Sequence, residues 1–207
     1  MFLRMRCGVY YEKKFRKKGF TLIIGVDEAG RGPLAGPVVA AAVVLKKEPF
    51  SNRIDDSKKL SPSQRERVFP EIIKKSEFGI GIVGEEIIDR INILEATRLA
   101  MEKAVAGLLS KSKDNKKKRV QVLVDGDVRL RLKYPFANII KGDAKSRSIA
   151  AASIIAKVTR DRIMSLYDRL YPEYGFLKHK GYPTQAHRLA LKKFGPSAIH
   201  RKSFRGV

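Results

Sequence analysis

Residues 22–26, Leu22-Ile23-Ile24-Gly25-Val26, form an unbroken apolar run, and two carboxylates, Asp27 and Glu28, stand side by side at its exit. A run with no polar position predicts a strand covered on both faces. That demands helices on either side of a sheet, and it confines the acids to the sheet's edge, where an α/β fold assembles its site. A turn follows at once, Ala29-Gly30-Arg31-Gly32-Pro33, which carries a cation and lets a ligand approach the backbone. A regular strand sends neighbouring side chains to opposite faces, so both acids can reach one point only if the chain bends at Glu28.

The acids stand out against the charge of the whole chain. Lys plus Arg total 44 and Asp plus Glu total 21 in 207 residues, a formal net charge of +23. Such an excess favours polyanions, because neutralising phosphates releases condensed counterions. A cationic protein that gathers acids at one point is arranged to hold a metal against a phosphate. Cys7 is the sole cysteine, which excludes an intrachain disulfide and a cysteine-based zinc site and fits the cytoplasm. No apolar run reaches the length of a membrane span, and the basic first twenty residues lack the apolar centre of a secretory signal. We therefore expect no membrane contact.

Residues 1–20 read as a basic N-terminal arm and 21–207 as one catalytic domain, since no repeat or linker divides the rest. Strands are expected at 21–27, 37–45, 77–84, 120–124 and 138–141. Pro33 and Pro37 punctuate a link between the first two that is short enough for an antiparallel pair. Ser61-Pro62 opens a helix over 62–75. Asn92 is placed to cap a helix over 93–110, and further helices are expected at 144–170 and 184–194. The basic stretch Lys111–Arg119 reads as a solvated loop. This is a mixed α/β plan.

Two more acids fall at strand exits or turns. Asp125 ends the fourth strand before Gly126, and Asp143 stands in Lys141-Gly142-Asp143-Ala144-Lys145-Ser146 before the longest helix. Each has an ordinary reading as well, Asp125-Gly126 as a turn pair and Asp143 as a helix N-cap. Together with Asp27 and Glu28 they offer oxygen ligands only, which suit Mg²⁺ or Mn²⁺ rather than zinc. Two such ions can activate a water and steady the leaving oxygen of a phosphodiester. The glycines do not make a dinucleotide fingerprint or a Walker loop.

At these residues the sequence resembles the type 2 ribonucleases H, specifically the bacterial ribonuclease HII family. The resemblance runs from about Leu22 to Phe204. It is carried by Asp27-Glu28-Ala29-Gly30-Arg31-Gly32-Pro33-Leu34-Ala35-Gly36-Pro37, Asp56-Ser57-Lys58-Lys59-Leu60, Val124-Asp125-Gly126, Lys141-Gly142-Asp143, the stretch Ile149 to Asp161, and Gly181-Tyr182-Pro183-Thr184. It implies the ribonuclease H fold, a mixed five-stranded sheet flanked by helices. It implies an endoribonuclease dependent on Mg²⁺ or Mn²⁺, with two ions in the substrate complex. Its substrates would be RNA–DNA hybrids and duplex DNA with single embedded ribonucleotides, and its products would carry 5′-phosphate and 3′-hydroxyl ends. The acidic quartet maps onto Asp27, Glu28, Asp125 and Asp143. The turn Gly30, Arg31 and Gly32 would read the ribose 2′-hydroxyl, the handle that separates RNA from DNA. Tyr182 would pack under the next deoxyribose. Arg31 separates the chain from type HIII relatives, which carry Lys there. The resemblance leaves open a partner such as a sliding clamp, and a monomer is expected.

Beyond the motif core, Ser57, Lys58 and Lys180 are expected to touch backbone phosphate. His187 is expected to make a structural hydrogen bond, and Asp161 to pair with Arg160. Two rival classes follow from the same residues. A DNA resolvase or transposase-like nuclease on this fold would need no 2′-hydroxyl, and a basic RNA-binding protein would bind hybrid without cutting it.

Overall fold

A computed structural model describes residues 7–46, 49–111 and 118–207. The core is one five-stranded sheet: β1 (Leu22–Ala29), β2 (Val38–Leu45), β3 (Ser76–Val83), β4 (Val120–Asp125) and β5 (Phe136–Ile139). Their order across the sheet is β3-β2-β1-β4-β5. β1 pairs antiparallel with β2 and parallel with β4, while β2–β3 is antiparallel and β4–β5 parallel.

Both faces of β1 are covered, as its composition requires. Ile24 and Val26 pack under α3 (Glu85–Ser110), with Val38, Ala40, Val122 and Val124. Ile23 lies on the opposite face with Leu123 and Ile149 of α4 (Arg147–Leu170). Gly25 shares that second face, and a Cβ there would overlap the Ser148 backbone. The missing side chain is what lets the first turn of α4 lie directly on the strand.

Four expected elements shift in instructive ways. β1 continues in register to Ala29, with Glu28 opposite Ala40, so the bend expected at Glu28 occurs instead at Gly30 (φ 100°). β5 ends at Ile139, before Lys141 adopts the left-handed conformation. α4 begins at Arg147, not 144, because Ser146 is its cap and accepts from the Ile149 amide. Asn92 caps 93–110 as expected, its Oδ1 accepting from Leu94 and Glu95 amides. However, a further helical stretch precedes it across a non-helical Asn92.

The other helices are α1 (Tyr10–Lys17), α2 (Pro62–Lys75), α5 (Phe176–His179) and α6 (Gln185–Phe194). α2 opens on the full capping box of Ser61 and Gln64. α1 gives the basic arm a folded segment; residues 1–6 and most of the Lys111–Arg119 loop lie outside the described residues. Among the described residues no helix is long and apolar enough to cross a membrane.

Candidate metal centre and the turn beside it

β1 and β4 run parallel with Val26 opposite Val124, so Asp27 and Asp125 leave the sheet side by side. Both belong to the face covered by α4. Asp143 reaches the same point from the 3-10 turn Gly142–Ala144 that leads into α4. Carboxylate oxygens of Asp27, Asp125 and Asp143 all lie within 4.8 Å of one another. The ordinary readings of the last two acids fall away here. Ser146, not Asp143, caps α4, and Asp125 Oδ1 accepts from the Gly142 amide at 2.6 Å rather than closing its own turn.

These acids are short of compensation. Asp27 is buried, which holds its carboxyl well above the ordinary range, and the charges of Glu28 and Asp125 push it further. Burial, then Asp125 and Asp56, raise Asp143 to about 6. Among the described residues one cation answers them directly, Lys58, with Nζ 3.8 Å from Asp143. Burial would depress that ammonium, but Asp143 and Asp27 more than offset it and hold its pKa above the usual value. Three clustered carboxylates with one lysine form a deficit that a hard divalent cation would close.

Glu28 stands apart from this cluster. As the next residue on a regular strand it faces the other way, where it meets Arg31 at 3.5 Å. Burial raises its pKa, Arg31 draws it down and Asp125 raises it again, so it remains within electrostatic reach of the centre.

The turn after β1 is held by two buried arginines. Arg201 donates through Nη2 to the Gly30 and Gly36 carbonyls at 2.6 Å each. Its Nη1 donates to Arg31 O at 3.0 Å and its Nε to Gly36 O at 2.9 Å. Arg160 donates to the carbonyls of Pro37, Ala35 and Lys180, each at 3.0 Å. A Cβ on Gly30 would overlap the Arg160 guanidinium. Leu34 N donates to Gly181 O at 2.8 Å, which seats Tyr182 beside Gly32.

This arrangement has counterparts. The model of the family described as Ribonuclease HII matches residues 24–207. A ribonuclease HII of Syntrophotalea carbinolica is 46% identical over 200 residues, covering 96% of this chain and 92% of that protein.

The chain belongs to the ribonuclease HII family.

It is an endoribonuclease of the ribonuclease H class. Among solved structures, the ribonuclease H2 of Pyrococcus horikoshii matches with a TM-score of 0.70 and 30% identity over 90% of this chain and 95% of that one. The Archaeoglobus fulgidus ribonuclease HII, solved in complex with PCNA, matches with a TM-score of 0.70 and 26% identity over 89% of this chain and 95% of that one. The fold is ribonuclease H-like, as the mixed five-stranded sheet requires.

Around this ribonuclease HII centre the remaining expected contacts diverge. Lys58 projects into solvent beside Asp143, its side chain 80% exposed. Ser57 does not reach the surface: it is buried, and its hydroxyl accepts from Ser153 at 2.8 Å. Its carbonyl and that of Leu60 accept from Arg65 of α2, which anchors the turn carrying Lys58. Lys180 has left-handed backbone and donates through Nζ to Ser165 Oγ at 3.0 Å. Tyr182 is 42% exposed, with Lys157 Nζ 6.0 Å from its ring. Asp161 pairs with Lys157 and Arg65 rather than Arg160, because Arg160 is turned inward to the carbonyls. His187 makes the structural bonds expected of it, to Tyr182 O and to His200.

Reading residue types alone missed Arg160, Arg201 and Arg65. For Arg160 a signal existed. It falls on the helical stripe of Ile149, Ser153, Ala156 and Met164, all buried. An arginine on that stripe has its head group inside the protein and must find acceptors there.

Proposed function

We propose that this protein hydrolyses the RNA strand of RNA–DNA hybrids and incises duplex DNA on the 5′ side of a single embedded ribonucleotide, leaving 5′-phosphate and 3′-hydroxyl ends. The observation that supports this reading best is the undercompensated cluster of Asp27, Asp125 and Asp143 lying next to the Gly30–Gly32 turn. Oxygen-only donors fit Mg²⁺ or Mn²⁺, and Asp27, Asp125 and Asp143 would hold the ions, with Glu28 at the rim. When bound, these ions supply a hydroxide at neutral pH and charge stabilisation for the departing 3′-oxygen.

The chain's own residues do the rest. Arg201 occupies the carbonyls of Gly30 and Arg31, so the turn offers its amides to a ribose 2′-hydroxyl. Tyr182, fixed beside Gly32, presents an aromatic face to the next sugar. Arg31, beside Glu28, and the exposed Lys58, beside Asp143, would meet phosphates, with Lys180 farther out against Ser165 of α4. Ser57 acts from beneath, by holding the Lys58 turn. A clamp partner, as in the Archaeoglobus complex, is compatible with this reading.

The test uses a labelled DNA duplex with one ribonucleotide, an RNA–DNA hybrid and an all-DNA duplex, each with Mg²⁺, with Mn²⁺ and with chelator. Metal-dependent cuts in the first two, with DNA intact, are expected. All-DNA cut equally fast would move the reading to a resolvase-like nuclease. Tight binding without cleavage would leave a basic binding protein.

A further inference from the structure

α1 lies before the span that the family model matches, yet it is joined to the site by one buried carboxylate. Glu12 Oε1 accepts three hydrogen bonds from the start of α4: Ser146 Oγ at 2.6 Å, Ser148 Oγ at 2.8 Å and Ser148 N at 2.9 Å. Its own residue is 9% exposed, and Oε2 is buried without a partner. A carboxylate held this way tolerates little displacement, since each donor would otherwise be stranded in the interior. The chain before α1 adds to the joint. Gly8 O accepts from Arg147 N at 3.0 Å, and Val9 forms a bridge with Ser146.

What Glu12 grips is the far end of the turn that carries the ligands. Ser146 N donates to Gly142 O at 2.8 Å, closing the turn around Asp143, and Gly142 N donates to Asp125 Oδ1 at 2.6 Å. One anchored segment, 142–146, thus sets the position of Asp143 through its backbone and the orientation of Asp125 through an amide. We propose that Glu12 is a positioning residue for the metal centre: from α1 it locks the 142–146 turn so that Asp125 and Asp143 converge on Asp27. This rests on the reading of those three acids as metal ligands.

The test compares the full-length protein with its Glu12→Ala and Glu12→Gln variants. Mn²⁺ binding is followed by the electron paramagnetic resonance signal of the free ion, without substrate, well below each unfolding midpoint. Glu12→Gln keeps an oxygen acceptor for the three donors and should bind Mn²⁺ like the parent. Glu12→Ala should weaken binding about tenfold, as the loss of a group that orients ligands does. In cleavage assays it should raise the metal concentration for half-maximal rate by the same factor and leave KM for the duplex unchanged, with the rate restored at high metal. Unchanged Mn²⁺ affinity in Glu12→Ala would overturn the proposal, as would a rate loss that excess metal does not restore. Should Glu12→Ala fail to fold, Ser148→Ala removes one of the two hydroxyl donors. Ser146 Oγ and Ser148 N still hold Glu12 in that variant, so a weakening of roughly two- to threefold is expected, less than the roughly tenfold for losing the whole group, and no change overturns the proposal. A parent that binds Mn²⁺ but cuts nothing would sink the nuclease reading while leaving Glu12 testable.

Discussion

Two charged regions sit either side of the Gly30–Pro37 turn and solve opposite problems. In the arginine-held region, Arg160 and Arg201 are wholly buried, and their donors are spent on backbone carbonyls of the turn and of Lys180. Burial depresses the pKa of both, and the neighbouring Arg160 charge adds to the effect at Arg201. Even so, the region is internally complete, since each guanidinium fork meets fixed acceptors. In the acidic region, three carboxylates converge with, among the described residues, a single lysine at 3.8 Å, and burial raises the pKa of two of them. A buried charge whose partners are all protein atoms shapes the fold. A buried charge left short of partners marks the place where something else binds.

Breaking each region should therefore have different consequences. Asp27→Asn should lower cleavage by well over the roughly hundredfold that loss of a ligand-supporting group costs. The fold should survive, and the metal-free variant should melt no lower than the parent, because a repulsive charge is gone. Single-turnover cleavage beside a thermal melt checks both halves; substantial remaining activity would end the metal-centre reading. Arg201→Met should do the reverse. It strands the carbonyls of Gly30, Arg31 and Gly36, at about 1–3 kcal/mol for each buried acceptor left unmade. A loss of at least about 3 kcal/mol in urea unfolding is expected, and Mn²⁺ affinity measured where the variant is folded should change far less than in Asp27→Asn.

The smallest effect sharpens the contrast through pH. Asp143 titrates at about 6 in the fold, against an ordinary 3.8. Between those values the folded chain holds more protons than the unfolded one, so this group's contribution to stability falls as pH rises. His200 behaves oppositely: burial, then His187, lowers it to about 4 from 6.5, so its contribution is lost as pH falls through that window. In chelator, Asp143→Asn should gain on the parent by about 1–2 kcal/mol between pH 4 and 6. A constant gap in urea midpoints would contradict the assignment.

Much of this was legible from residue order. β1 could be placed because an unbroken apolar run ending in acids has few other homes, and α2 because Ser61-Pro62 puts a cap and a first-turn proline at its start. Asp143 and Ser146 were harder to separate. Both residue types cap helices, and only the packing of α4 on Gly25 decides where the helix starts. Glu28 was expected to join Asp27 only through a bend at Glu28, and where the strand ends could not be read from residue order; it continues to Ala29. The buried arginines were hidden for a related reason. Their acceptors are carbonyls from distant turns, which no local pattern records. Glu12 was obscured within a segment whose composition is dominated by lysine and arginine.

The sheet order carries one more consequence. β4 is inserted next to β1 only after β2 and β3 have been made, and Asp143 arrives later still. A chain emerging from a ribosome holds Asp27 early, but it has no neighbour for that carboxylate until the parallel β1–β4 pair closes. Cleavage competence is thus a property of the finished sheet.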